Sequence, residues 1–180
     1  DPVVAFELPN GSQTQPVGQL QFNNVIFGYG DNAPIIDDFN LSIAPGSAVA
    51  LVGATGSGKS TIVRLLTRFH DVQRGSIKID GVDIRSLSLN DLRTAVGIVF
   101  EETFLFHDSV FDNIAFAQPD ASPEVVERAA KLAGAHDFIL ELPHGYATIL
   151  GERGYSLSGG QRQRIAIARA IVSDPRILVL

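Results

Sequence analysis

Eight consecutive residues, Gly53 to Ser60, have the sequence GATGSGKS, in which three glycines precede a lysine and a serine. Glycines let the backbone turn so that successive N–H groups converge on an anion, and a helix starting there adds its positive N-terminal end. The Lys59 ammonium supplies a mobile charge for outer phosphates, and the Ser60 hydroxyl is a typical Mg²⁺ ligand. The G-x-x-x-x-G-K-[ST] spacing therefore predicts a site for a nucleoside triphosphate with Mg²⁺.

The loop leaves alternatives open. A glycine-rich connector can fit the pattern by chance, and the loop alone is equally typical of GTPases, kinases, helicases and transport ATPases. Lys59 is its predicted catalytic residue and Ser60 its predicted metal ligand. The residues predicted to bind the nucleotide here are Gly53, Ala54, Thr55, Gly56, Ser57, Gly58, Lys59, Ser60 and Thr61.

A second segment, LSGGQ at Leu157 to Gln161, directly precedes an arginine-rich stretch with helical character. A serine and two glycines at a helix N-terminus form another backbone cradle for an anion. Considered in isolation, the segment is better explained as a polar loop capped by a solvated basic helix. The predicted nucleotide-binding residues are Ser158, Gly159, Gly160 and Gln161.

The elements that must position these loops alternate between strands and helices. SAVALVG, before the first loop, predicts a buried strand, and KSTIVRLLTRF predicts a helix with an apolar face at Ile62, Leu65, Leu66 and Phe69. Short apolar runs from Leu20 to Ile43 predict a small antiparallel sheet, whereas residues 1–19, rich in proline and glycine, predict a linker. A strand followed by a helix is typical of an α/β fold.

The second half of the chain continues this pattern. Asp80-Gly81 predicts the turn of a hairpin, followed by a helix over Asn90 to Ala95 and a strand in VGIVF. Residues 109–141 look like a helical insertion, with Ser122 as N-cap, Pro123 at the first helical position and Gly134 as a stop. A last helix over 159–173 leads to RILVL, which predicts a strand buried on both faces.

Composition limits the classes of function. With 180 residues and 45% apolar content, the chain predicts one domain, and its net charge of −6 with a pI near 5.1 argues against nucleic-acid partners. There is no cysteine for a disulfide or a thiolate site, and no run long enough for a membrane helix. The histidines lack metal-ligand spacing and are predicted to be surface or loop residues; they are His70, His107, His136 and His144.

Together, GATGSGKS and LSGGQ resemble the nucleotide-binding domain of an ABC transporter, and the resemblance covers most of the chain after the linker. It implies an α/β fold with a P-loop NTPase core, a parallel sheet and an N-terminal antiparallel β subdomain. The domain would span 20–180, with an inserted helical subdomain at about 103–160. ATP and Mg²⁺ are the implied cofactors, and the loop of one domain would face the LSGGQ segment of another, identical or different, across ATP.

The resemblance also implies a role in transport. Such a domain hydrolyses ATP at the cytoplasmic face of the plasma membrane and drives a transmembrane domain, which lies upstream or in a partner chain. Tyr29, in VIFGYG, would stack on the adenine, although an aromatic serving only the sheet remains open because Phe27 shares its face. TILGERG resembles the X-loop of exporters, with Glu152 facing the membrane domain.

One residue departs from the family pattern. In VGIVFEETFLF the family usually has a glutamine that ligates Mg²⁺, and the matching residue here is Glu101, with Glu102 next to it. A carboxylate still ligates Mg²⁺ but repels the γ-phosphate without metal, so Glu101 is predicted as a metal ligand and catalytic residue. It is either a tolerated variant or the mark of a less active site in an asymmetric pair.

The resemblance further implies groups beyond Leu180. In the family, an aspartate, a glutamate that acts as general base and a switch histidine follow a strand such as ILVL, so the C-terminal part of the domain is expected to be missing. This polypeptide alone is then expected to bind nucleotide but hydrolyse it poorly. Two alternatives stay open: a regulatory site with little turnover, and a soluble ABC ATPase of translation or DNA repair, which GERG and the acidic charge argue against.

Overall fold

The protein is described here by a computed structural model that covers residues 6–7, 13–14, 18–30, 33–100, 103–151 and 157–180. The chain divides into two compact units, Asp1–Val96 and Gly97–Leu180. The fold is mixed α/β, with an N-terminal antiparallel sheet and a small parallel sheet, as the sequence predicts.

An antiparallel sheet forms the centre of the first unit, with the strand order β4-β3-β5-β6. Its strands are β3 (Leu20–Phe27), β4 (Ile36–Ile43), β5 (Arg74–Ile79) and β6 (Val82–Asp83). Alternate residues of β3 and β5 point into the core, where Phe22 and Ile77 are buried opposite each other. This confirms the predicted antiparallel sheet.

The turn between β5 and β6 confirms the predicted hairpin. Ile79 pairs with Val82, and the two residues between them, Asp80 and Gly81, have φ of 50° and 80°. Positive φ at both central residues matches the twist of the flanking strands and favours an Asp-Gly pair.

Apart from a 3₁₀ turn at Ile84–Ser86, the described part of the first unit also contains two α-helices and two short strands. They are β1 (Phe6–Glu7), which pairs antiparallel with β2 (Gln13–Thr14), then α1 (Lys59–Leu66) and α2 (Leu89–Ala95). The α1 residues Ile62, Leu65 and Leu66 are buried as predicted. Phe69 does not extend this face, because the helix ends at Leu66 and Arg68 adopts a left-handed φ of 53°.

The prediction of a buried strand in SAVALVG is wrong. Residues 47–53 are not a strand, and the Val52 side chain is 89% exposed. Among the described residues these backbone groups have no strand partner, and apolar β-branched residues form a strand only against a neighbour. Leu51 and Val52 instead line an open groove beside Phe39 and Ile62.

The second unit is mostly helical. Its elements are α3 (Val110–Ala115), α4 (Pro123–Leu132), α5 (His136–Leu140) and α6 (Gly159–Ile171), while β8 (Ile177–Val179) pairs with β7 (Val96–Ile98) in the parallel sheet. As predicted, Ser122 and Pro123 begin α4, and Gly134 follows its end with φ of 65°. The strand predicted in RILVL forms, but it is not buried on both faces, because Leu178 and Leu180 are exposed.

One buried polar residue links the helices of the second unit. Asn113, on α3, is fully buried, and its Oδ1 accepts hydrogen bonds from the Phe106 amide at 2.9 Å and from Arg169 Nη2 at 2.8 Å. Its Nδ2 donates to the carbonyls of Phe106 at 3.0 Å and Ser109 at 2.9 Å. Arg169, on α6, also donates to the Asn113 carbonyl and lies over the Phe106 ring, and burial lowers the pKa of its guanidinium.

Candidate nucleotide site

The lysine of the first loop folds back onto the loop itself. Lys59 Nζ donates to the carbonyl oxygens of Gly53 at 2.6 Å and Ala54 at 2.9 Å. In the described ranges no carboxylate forms an ion pair with Lys59. The ammonium therefore has only neutral partners there, and a phosphate oxygen would be a stronger acceptor than either carbonyl.

Two glycines of this loop have little room for a side chain, and Gly58 also has a backbone angle that favours glycine. A Cβ on Gly53 would lie 2.6 Å from Ser57 Oγ. Gly58 has φ of 91°, and a Cβ there would lie 2.6 Å from Ile36 Cδ1. Gly58 is also the N-cap of α1 and has no side chain to cap the helix. The amide groups of the first helical turn are thus left without a capping side chain, as a site for an external anion requires.

Tyr29 lies just after β3 in a small aromatic cluster. Its ring is perpendicular to Phe27, with centroids 5.0 Å apart, and to His70, with centroids 5.3 Å apart. Phe27 is buried in the core, whereas Tyr29 is only half-buried. The two aromatic residues therefore differ in exposure: Phe27 belongs to the core under the sheet, whereas part of the Tyr29 ring surface remains accessible.

Two residues of α1 that the sequence analysis did not connect with Tyr29 hold its hydroxyl. Thr61 forms a side-chain hydrogen bond to it, and Arg64 Nη1 donates to Tyr29 Oη at 3.4 Å. These hydrogen bonds, that of Thr61 foremost, lower the pKa of Tyr29. The i, i+3 spacing of Thr61 and Arg64 places them on one face of α1, but nothing local in the sequence indicates that this face meets residue 29.

The second predicted cradle starts α6 with its own cap. Ser158 Oγ accepts from the Gln161 amide at 3.2 Å, and Gln161 Oε1 accepts from the Ser158 amide at 2.8 Å. This reciprocal pair is a capping box, which fixes the start of the helix. Gly159 and Gly160, at the first two helical positions, are exposed, and their amides have no intrahelical carbonyl to bind.

Several predicted residues lie outside the described residues, namely Glu101, Glu102 and Glu152.

Of the histidines, His70, His107 and His144 are exposed, and His136 Nδ1 is 2.9 Å from Tyr146 Oη. The described part of the chain contains no group of three His, Asp or Glu residues arranged to hold a metal ion. In the same ranges no helix is both long and apolar enough to cross a membrane.

Comparison with known proteins decides the family. A family model described as ABC transporter matches residues 36–180. The chain belongs to the ABC transporter family. This confirms the resemblance drawn from the two glycine-rich segments, both of which lie within the matched range of this ABC transporter domain.

Two relatives of the ABC transporter domain are transport proteins by name. A Staphylococcus aureus (strain NCTC 8325) protein described as a multidrug export ATP-binding/permease protein is 47% identical over an alignment of 180 positions, which covers 97% of this chain and 31% of the relative. An ATP-dependent lipid A-core flippase of Saccharophagus degradans (strain 2-40) is 49% identical over 175 residues, 96% of this chain and 30% of that protein.

The fold is similar as well. A bacterial Atm1-family ABC exporter, solved with ATP bound, is similar with a TM-score of 0.81 and 48% sequence identity, covering 91% of this chain and 28% of the solved chain. The ABC transporter domain thus spans about a third of the length of the proteins that it matches.

Proposed function

We propose that this ABC transporter domain binds ATP with Mg²⁺ at residues 53–61 and hydrolyses it to drive export across a membrane. The observation that carries the proposal is the start of α1, where a glycine N-cap leaves the helix uncapped and Lys59 has only carbonyl partners among the described residues. First-turn amides without a capping side chain and a cation without a carboxylate partner fit a polyphosphate.

The other predicted residues have complementary roles in this proposal. Ser60, at the second position of α1, supplies a hydroxyl for Mg²⁺, and Glu101 supplies a carboxylate that ligates the same ion. Tyr29 stacks on the base. The metal would neutralise part of the negative charge of the phosphates, and Lys59 would bind the outer phosphates.

The proposed site is completed by a second domain, identical or different, whose Ser158 to Gln161 segment faces the loop. The exposed glycines at the start of α6 favour this role, because their amides can donate to the phosphate of an ATP molecule held by the other domain. The names of the relatives, an export ATP-binding/permease protein and a lipid flippase, support a role in transport. We propose a transmembrane domain as partner and the cytoplasmic face of the membrane as location. Poor hydrolysis by residues 1–180 alone stays a prediction.

Replacement of Lys59 tests the phosphate site. Lys59→Ala in the full chain should weaken ATP binding by about tenfold or more, because a charge-assisted hydrogen bond to phosphate is lost. The free energy of unfolding should be unaffected, since among the described residues Lys59 Nζ donates only to two loop carbonyls. Titration calorimetry with Mg²⁺ and a non-hydrolysable ATP analogue measures the affinity.

A surface lysine from the second unit is the matched control. Lys131→Ala removes an equal charge and an exposed ion pair with Glu127, and it should leave ATP affinity unchanged. Equal affinities in wild type and Lys59→Ala would contradict the proposed site.

A further inference from the structure

The Tyr29 hydroxyl is attached to the helix that starts at the phosphate-binding loop. Thr61 and Arg64, which both hydrogen-bond this hydroxyl, lie two and five residues after Lys59 on α1. One short helix therefore carries both the predicted phosphate ligands and the groups that hold the predicted base platform. The position of the Tyr29 ring relative to the loop is then set by these contacts.

The other contacts of Tyr29 do not fix it in the same way. Phe27 and His70 meet the ring at interplanar angles of 86° and 83°, and such edge contacts orient an aromatic ring without holding its far end. His70 is exposed, and Tyr29 itself is half-buried. The hydroxyl is the one polar atom of the Tyr29 side chain, so a hydrogen bond there restrains the ring in the direction of α1.

Arg64 suits this task better than it suits phosphate binding. It lies in the last turn of α1, away from the N-terminal amides that would face phosphate, and its guanidinium is aimed at Tyr29 Oη. A planar guanidinium presents several N–H donors in a fixed arrangement, so a single arginine can hold the oxygen and remain solvated.

We propose that Arg64 is a positioning residue for the nucleotide base: by holding the Tyr29 hydroxyl, it fixes the base platform at a set distance from the phosphate-binding loop. The inference rests on the proposed function, because it takes Tyr29 as the residue that stacks on the base. Arg64 touches neither the phosphates nor the base in this arrangement, and it acts through Tyr29.

Comparison of two ligands on the full chain separates positioning of the base from phosphate binding. Arg64→Ala should weaken binding of the non-hydrolysable ATP analogue by about three- to tenfold, the range expected for one lost hydrogen bond. Binding of inorganic tripolyphosphate with Mg²⁺ should be unchanged, because that ligand has no base. Arg93→Ala removes an arginine from the last turn of α2 and should alter neither affinity.

A double-mutant cycle tests whether Arg64 acts through the Tyr29 hydroxyl. Tyr29→Phe keeps the ring and removes the oxygen, so Arg64→Ala should have no further effect on ATP affinity in the Tyr29→Phe background. The absorbance titration of the Tyr29 phenol, taken as wild type minus Tyr29→Phe, should move to higher pH in Arg64→Ala. This optical measurement needs no nucleotide and reports the contact directly.

Three results would overturn the inference: unchanged ATP affinity in Arg64→Ala, an equal loss for ATP and tripolyphosphate, or additive losses in the cycle. Tyr29→Ala distinguishes this failure from failure of the proposed function. It should weaken ATP binding by about tenfold or more through lost stacking. If Tyr29→Ala has that effect and Arg64→Ala has none, only the positioning role is wrong; if both are silent, Tyr29 is not the base platform.

Discussion

The helices that follow the two glycine-rich segments begin in different ways, one in each unit. Helix α1 has Gly58 as its N-cap and no capping side chain, whereas α6 has the Ser158 and Gln161 capping box. Residues 47–57, before α1, are all exposed, whereas Leu157, before α6, is buried in the helical core. The cap of α6 is therefore supplied by its own side chains, which leaves only the Gly159 and Gly160 amides open, whereas α1 has no capping side chain at all.

This difference shows where each unit obtains its local stability. The second unit satisfies its buried polar groups internally, most completely around Asn113, and packs α6 against α3 and α4. The phosphate loop of the first unit makes few internal hydrogen bonds, among them those of Lys59 and one from the Ser57 amide to Ala54. Substitutions in the second unit should accordingly cost folding free energy, and those in the loop should chiefly cost ligand affinity.

The largest expected effect is that of Asn113→Ala. The change leaves the partly buried amide and carbonyl of Phe106 and the Arg169 guanidinium without their side-chain partner, and we expect a loss of about 3 kcal/mol in the local stability of the second unit. Native-state hydrogen exchange of the α3 and α6 amides measures this loss. The affinity of the phosphate-binding loop for ATP should not change.

Asn90→Ala provides the control for this prediction. Asn90 is exposed on α2, and its replacement by a better helix former should change stability by less than about 0.5 kcal/mol. A cost below about 1 kcal/mol for Asn113→Ala would mean that the network around it is compensated by water. The proposed contrast between the two units would then lose its strongest support.

Next in size is Gly58→Ala at the start of α1. We expect a cost of about 2 kcal/mol, because the added Cβ meets Ile36 Cδ1 at 2.6 Å in addition to the strain of a φ of 91°. Chemical denaturation of the first unit and ATP titration both measure the change, and ATP affinity should fall as the helix start shifts.

Gly56→Ala separates strain from contact. Gly56 has a similar φ of 84°, but a Cβ there meets nothing within 4 Å, so only the conformational cost of about 1 kcal/mol is expected. Equal destabilisation by the two substitutions would show that the Ile36 contact is unimportant and that Gly58 is required for its backbone angle alone.

Local patterns predicted the features that depend on a few neighbouring residues. Asp80-Gly81 specifies its own turn through positive φ, and Pro123 fits the first position of α4 because its missing amide has no partner there. The cap of α6 follows from Ser158 and Gln161 in the same way. Each of these is a contact between residues at most three positions apart.

Several features that depend on distant partners were missed or wrong. The run SAVALVG has the composition of a strand, but strand formation requires a paired neighbour that the run itself does not specify. The contact between Asn113 and Arg169 joins residues 56 positions apart, and that between Arg64 and Tyr29 joins residues 35 positions apart. No periodicity within either segment encodes such a pairing.

The third prediction concerns the capping box of α6. Ser158→Ala should cost about 1 kcal/mol of helix stability, since the Gln161 amide loses its acceptor. Ser122→Ala is the matched control, because Ser122 is also an N-cap but forms no side-chain cap hydrogen bond, and its cost should be smaller. ATP-driven pairing of two domains, followed by analytical ultracentrifugation, should also weaken in Ser158→Ala; undiminished pairing would contradict the facing arrangement proposed above.

The smallest effect should be seen in the two tyrosines, whose pKa values shift in opposite directions in the two units. Burial, with a smaller contribution from Glu127, raises the pKa of Tyr146 from its ordinary value of 10.0 to about 12, whereas Thr61 and Arg64 lower that of Tyr29. A raised folded-state pKa means that the folded protein binds the phenolic proton more tightly than the unfolded chain. The Tyr146 contribution is therefore complete below pH 10.0 and is lost as the pH rises to about 12.

Tyr146→Phe should remove this component of the pH dependence. Because phenylalanine cannot ionise, the variant should lose less stability than the wild type between pH 10.0 and about 12, as measured by denaturant unfolding of the second unit. Tyr29→Phe should have the opposite effect on the first unit. Because the folded-state pKa of Tyr29 is lowered, ionisation of this phenol stabilises the folded wild type as the pH rises towards 10.0, and the variant lacks that gain. Identical pH slopes in wild type and Tyr146→Phe would mean that the Tyr146 hydroxyl, despite its contact with His136, remains as solvated in the folded unit as in the unfolded chain.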